Sequence, residues 1–187
     1  MAWKNGGGET VEIAIDPPDA DLANFRWRIS SAVVAEGGAF SSFPGVDRTL
    51  CMLSGDGLAL TVDGHERLLD EGSEPYSFAA DKPAVARLAG GAINDLNVMT
   101  RRDRCRHRVE RLDVITPLEL AADGDTNLLF CGRGCLVADD DIVLRPGDTL
   151  MPAPGRRIRV GPRGEDAVAF WIRICEGPAH DERTNAT

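Results

Sequence analysis

No stretch of this 187-residue chain approaches the roughly 18 consecutive apolar residues of a membrane-spanning helix, so no membrane partner is expected. The opening residues are polar at once, which argues against a secretory leader. Five cysteines make an odd count with no disulfide framework in their spacing, so reduced thiols in a cytoplasm are expected. Basic charge is short as well. Lys and Arg number 21 against 30 Asp and Glu, for a net charge of −9, which argues against non-specific binding of nucleic acid. Helix signals are weak, with Asp19-Ala20-Asp21-Leu22-Ala23 suggesting a single turn. Only three histidines occur, His65, His107 and His180, in a hairpin, an arginine run and the tail.

What the chain does have is turn residues. Twenty glycines and eleven prolines break it into short apolar runs about every ten residues, the pattern of an all-β protein. Strands are predicted over Thr10–Ile15, Phe25–Val34, Arg48–Leu53, Leu58–Val62, His65–Leu69, Ala84–Leu88 and Leu96–Arg101. In the second half they are predicted over Arg108–Ile115, Thr126–Cys131, Cys135–Ala138, Ile142–Leu144, Arg156–Val160 and Ala167–Ile174. Asp63-Gly64 marks a two-residue hairpin. A bend Gly55-Asp56-Gly57, followed by a strand, a polar hairpin and a Gly-containing turn, recurs as Gly132-Arg133-Gly134, 77 residues on. A repeat of that length implies a duplicated unit. The unit resembles a cupin core, so two antiparallel jelly-roll barrels are expected: residues 1–103, residues 104–176, and a frayed tail over 177–187.

The stretch Phe40 to Gly57 organises the first half. Pro44-Gly45 is a tight bend, and Asp47 and Arg48 are strand neighbours that must point to opposite faces, so only one looks inward. Upstream, Phe25, Trp27 and Ile29 share an apolar face, with Arg26, Arg28 and Ser30 opposite. Asn97, Met99 and Arg101 share a face that suits a small polar acid, Arg101 gripping a carboxylate in bidentate fashion. An ordinary surface arginine on an edge strand is the plainer alternative. A buried guanidinium without a partner costs several kcal/mol, so Asp47, Asp81 or water must stand in when the site is empty. Lys4 to Gly8 reads as a flexible turn or a backbone anion cradle. The alternating arginines from Arg102 to Arg108 read as a solvated connector or a homodimer contact, not a nucleic-acid site. Cys51, Cys131 and Cys175 read as buried structural thiols. Cys131 and Cys135 lack a second pair at zinc spacing, and the histidines are not placed to converge with these residues, so no metal and no cofactor are expected.

Five motifs then carry a family resemblance: Trp3-Lys4-Asn5-Gly6-Gly7-Gly8-x-Thr10, Trp27-Arg28-x-Ser30, Phe40-Ser41-x-Phe43-Pro44-Gly45-x-Asp47-Arg48, Phe78-x-x-Asp81-x-Pro83 and Asp95-x-Asn97-Val98-Met99-x-Arg101-Arg102. In this order they resemble the HutD/Ves family, whose members are similar to bicupins and are often encoded beside histidine-degradation enzymes. The resemblance implies binding of a pathway intermediate, such as urocanate or N-formiminoglutamate, in a regulatory role. It brings Lys4, Asn5, Arg28, Ser30, Phe40, Ser41, Phe43, Asp47, Arg48, Phe78, Asn97, Met99 and Arg101 together as ligand-binding candidates. Ala2 stands where the family usually has proline, Ala80 where it has glycine, and the chain starts at the motif without the short strand many members have upstream. Two other readings remain open at this point: an enzyme with Asp47 or Asp81 as acid–base, and a module that docks another polypeptide.

Overall fold

Frequent turn residues leave room for strands only. A computed structural model describes residues 8–139 and 141–177, and among these no helix occurs. The tail expected to fray, beyond Gly177, lies outside the described residues. The first half contains β1 (Gly8–Asp16), β2 (Trp27–Val34), β3 (Gly38–Ala39), β4 (Val46–Ser54), β5 (Leu58–Val62), β6 (His65–Leu69), β7 (Tyr76–Ala79), β8 (Ala84–Leu88) and β9 (Ile93–Arg101). The second contains β10 (Cys105–Val114), β11 (Leu118–Ala121), β12 (Thr126–Arg133), β13 (Leu136–Ala138), β14 (Ile142–Leu144), β15 (Thr149–Leu150), β16 (Arg157–Pro162) and β17 (Ala167–Glu176). The Asp63-Gly64 hairpin forms as expected, with φ of 49° and 82° at its two residues and Val62 opposite His65.

The strands build four antiparallel sheets, ordered β1-β2-β9-β4-β7, β3-β8-β5-β6, β10-β17-β12-β15 and β11-β16-β13-β14. Strand order β2-β9-β4-β7 in the first half is repeated as β10-β17-β12-β15, and β3-β8-β5-β6 as β11-β16-β13-β14. Only β1 has no counterpart. The expected closed barrels do not form. Each half is a pair of open sheets, because the ladder is interrupted at the corners by turns such as Ala35–Gly37 and Gly55–Gly57.

The repeat also shifts. A bulge at Met52/Ser54 precedes Gly55, and one at Cys131/Arg133 precedes Gly134. Both glycines have positive φ, and a Cβ on either would come within 2.8 Å of a backbone carbonyl oxygen, that of Ala92 or Asp166. Gly55 therefore matches Gly134 rather than Gly132. Residues 105–108, expected in a solvated connector, start β10, which pairs along its whole length with β17.

Apolar clusters fill the three spaces between the four sheets. Leu50 and Met52 meet Leu58, Leu60 and Ala86 inside the first half. Leu129, Ala169 and Trp171 meet Leu136, Ile158 and Val160 inside the second. Between the halves, Trp27, Ile29, Leu96 and Val98 pack against Leu128, Phe130, Phe170 and Ile172. The two central sheets are thus buried on both faces, and β9 and β17 read as near-continuous buried runs. Cys51, Cys105 and Cys131 are buried, Cys175 at a strand end only half-buried, and all five thiols are free.

Candidate functional site

Register places the site. Cross-strand partners project to one face of a sheet. On the inner face of the five-stranded sheet, one row runs Arg28, Met99, Arg48, Phe78. The next runs Glu12, Ser30, Asn97, Leu50, Tyr76. A third, deeper row has Ala32, Asp95 and Met52. Positive charge, amide and carboxyl succeed one another into the interior.

Arg48 is the inward member of the Asp47–Arg48 pair. Its Nε and Nη2 donate to Asn97 Oδ1 at 2.8 and 2.5 Å. Asn97 Nδ2 donates in turn to Asp95 Oδ1 at 2.6 Å. The Arg48 guanidinium lies 4.3 Å from the Phe40 ring centre and 5.9 Å from that of Phe78, and both aromatic faces attract it. Burial pulls Arg48 down to about 10, with Asp95 opposing the shift and the charge of Arg28 adding to it. Burial pushes Asp95 up to about 6 against the pull of Arg48 and the Asn97 hydrogen bond. Beside this chain, Arg28 Nε donates to Glu12 Oε2 at 2.8 Å and Nη1 to Ser30 Oγ at 3.0 Å. A guanidinium framed by aromatic rings, fixed by an amide and carrying no carboxylate of its own among the described residues can hold an organic anion.

The structure therefore brings together Arg28, Ser30, Phe40, Arg48, Phe78, Asn97 and Met99. It turns others elsewhere. Arg101, at the end of β9, donates to the carbonyls of Phe25 (2.9 Å) and Ala23 and lies over the Phe25 ring, where it fastens the preceding loop. Phe25 precedes β2, escapes its alternation and packs with Val46, Ala80 and Met99 instead of Trp27 and Ile29. Phe43 joins it edge-on at 6.4 Å, and Ala80 is buried in this cluster. Ser41 is exposed. Asp47 faces the opposite side, 2.8 Å from Arg102, which also reaches Asp81 at 3.3 Å. Neither carboxylate stands in for a ligand at Arg48. Burial alone would raise Asp81, but the Arg102 hydrogen bond and charge and the Gly45 N–H hold it below its ordinary value. Lys4 and Asn5 lie outside the described residues.

Three residues of this region were not singled out as site residues by sequence reasoning. Asp95 carried a signal, since it alternates with Asn97 and Met99. Glu12 carried only its alternation with Thr10, which does not tell which face looks inward; its place opposite Ser30 does. His107 was expected apart from the motif residues, yet its Nε2 meets Thr49 Oγ1 and its Nδ1 meets Thr100 Oγ1, both at 2.7 Å, on the outer face of the same sheet. Burial pushes its pKa down to about 4, so the ring is neutral, donating to one threonine and accepting from the other.

With this geometry in view, the HutD family matches residues 1–170. Protein Ves of Cronobacter sakazakii is 42% identical over 112 residues, 59% of this chain and 60% of that protein. An uncharacterized 21.2 kDa protein of the hutC 3′ region of Pseudomonas putida is 38% identical over 130 residues, 70% of this chain and 67% of that protein. The match to the Ves protein thus spans about three-fifths of its length. Among solved structures, HutD from Pseudomonas fluorescens SBW25 superposes with a TM-score of 0.81 at 31% identity, over 94% of this chain and 92% of that one. A conserved protein of unknown function from Pseudomonas aeruginosa gives 0.83 at 32%, over 94% and 93%. A cupin 2 conserved barrel protein from Leptotrichia buccalis gives 0.59 at 10% identity, a likeness of fold alone.

Proposed function

This chain belongs to the HutD family, and on that premise we propose that it is a cytoplasmic bicupin-type binding protein that holds a small carboxylated intermediate of histidine degradation in a regulatory role. In this reading residues 1–103 form the binding unit and residues 104–176 a structural one. Arg48 receives the carboxylate between Phe40 and Phe78, Asn97 and Asp95 keep the guanidinium aimed, and Arg28 and Ser30 flank it. Urocanate and N-formiminoglutamate are the candidate ligands. The relative named for its place beside hutC supports the pathway.

One observation carries the reading. Arg48 projects into the interior with an amide and two aromatic rings for company, while most other interior arginines have carboxylates. A guanidinium withdrawn from water is costly unless paired, and an incoming anion relieves that cost. Binding is favoured over catalysis because Asp47 and Asp81, the acid–base candidates, are engaged with Arg102 on the far face. A thermal-shift experiment tests the proposal, since a ligand of the folded state must stabilise it. Urocanate or N-formiminoglutamate should raise Tm in the native protein and leave Arg48→Ala unmoved. If no histidine-pathway acid moves Tm, the protein is a docking module instead.

A further inference from the structure

The inner face of the five-stranded sheet carries two guanidinium groups, Arg28 and Arg48, and the described residues supply a carboxylate to one of them. Glu12 lies opposite Ser30, so it projects to the inner face, where its Oε2 accepts from Arg28 Nε at 2.8 Å. With Ser30 Oγ on Nη1, Arg28 is engaged on two of its three nitrogens. Its side chain is 12% exposed while that of Glu12 is 44% exposed, so the carboxylate reaches in from the rim. The backbone is shaped for this. The β1 ladder goes from Glu12–Ser30 directly to Ala14–Ile29, leaving Ile13 as an extra residue in a bulge. Glu12 ends the regular Gly8–Glu12 register, and the bulge that follows turns both Ile13 and Ala14 to the opposite face, so Glu12 is the last inward residue before the break; among the described residues β1 pairs only with β2. No strand of the second half corresponds to β1, so Glu12 is an addition to the repeated unit.

We propose that Glu12 is a selectivity residue of this inner face: a built-in carboxylate that occupies Arg28, so that the site takes one ligand carboxylate, on Arg48, and disfavours a second. The proposal rests on the reading of Arg48 as a carboxylate receptor. A second carboxylate would be left with the remaining N–H groups of Arg28, on Nη1 and Nη2, and would then lie beside the Glu12 carboxylate. Like charges at that range repel, and discrimination of this kind comes from a repulsive element placed against the wrong ligand.

The test compares dissociation constants of urocanate, with one carboxylate, and N-formiminoglutamate, with two, by calorimetry at fixed pH and ionic strength. Native protein, Glu12→Gln, Glu12→Asp and the exposed neighbour Glu9→Gln are the four samples. Glu12→Gln should tighten N-formiminoglutamate about tenfold or more relative to urocanate. Glu12→Asp, which keeps the charge but draws it back, should give an intermediate ratio. Glu9→Gln should leave the ratio at the native value and so exclude a mere change of net charge. An unchanged ratio in both Glu12 variants overturns the proposal while leaving the binding reading intact, as does an equal loss of affinity for both acids. Failure of both acids to bind any of the four samples overturns the binding reading and this proposal with it.

Discussion

The two halves share a strand order but fill their interiors differently. Ladder register and the matched bulges pair Asn97 with Trp171, Asp95 with Ala169, and Arg48 with Asn127. Where the first half has an amide, the second has an indole that is fully buried among Leu129, Leu136 and Ile158. Where the first has the guanidinium of Arg48, the second has Asn127, whose amide closes on the backbone of Gly124 in both directions, at 3.0 and 2.7 Å. At the mouth, Arg173 replaces Met99 and is bound by Glu110 and Asp123. The framework alone therefore makes no site. A polar interior arises where Asn97, Asp95 and Arg48 occupy rows that in the second half close with an aromatic plug and completed ion pairs.

The largest expected effect breaks this comparison directly. Trp171→Ala should cost about 3–5 kcal/mol of stability, from lost transfer energy plus a cavity. Asn97→Ala, at the matching position, should cost about 1–3 kcal/mol, because no large cavity opens but Arg48 and Asp95 lose their shared partner. Denaturant unfolding of both variants measures the contrast.

A second test uses two groups on opposite faces of the first-half sheet. Asp95 has a folded pKa of about 6, above its unfolded value, so the folded state holds the extra proton and stability falls as pH rises from roughly 4 to 6. His107 has a folded pKa of about 4, below its unfolded value, so its contribution is present above roughly pH 6.5 and is lost as pH falls toward 4. Each swing amounts to about 3 kcal/mol at most, and they oppose each other. Stability of the native protein should vary little over this window. Asp95→Asn should expose a rise with pH and His107→Gln a decline.

Smaller effects separate the two guanidinium groups. Arg173→Met should destabilise by about 1–2 kcal/mol, since Glu110 keeps only the exposed Arg108 and Asp123 loses its partner. Arg48→Met should leave stability unchanged or slightly raised, because an apolar side chain of similar size replaces a desolvated cation, and should abolish the ligand-induced Tm shift. Asn127→Ala should cost about 1 kcal/mol and leave ligand binding untouched.

Much of the fold was legible because the signals are local. β5, β6, β8 and β14 follow alternation and turn residues to their observed ends. The two-residue strands β3 and β15 have no period to detect, and β7, which carries Phe78, was hidden behind the turn signal of Glu74-Pro75. In the site, alternation placed Arg28 with Ser30 and Asn97 with Met99 on shared faces. It failed at strand ends: Phe25 lies before the ladder begins, and Arg101, though paired with Val46, gives its donors to carbonyls of the preceding loop. It could not reveal that Glu12 reaches Arg28, or the partners of His107, because both contacts come from pairing or packing between different strands. The face of Asp47 and Arg48 was likewise a choice that only the layer order decides.

The most direct measurement is a crystal structure of the protein soaked with urocanate. The account predicts a carboxylate within hydrogen-bonding distance of Arg48, between Phe40 and Phe78, with Trp171 undisturbed in the second half. Ligand density anywhere other than beside Arg48, or in the second half, would contradict it.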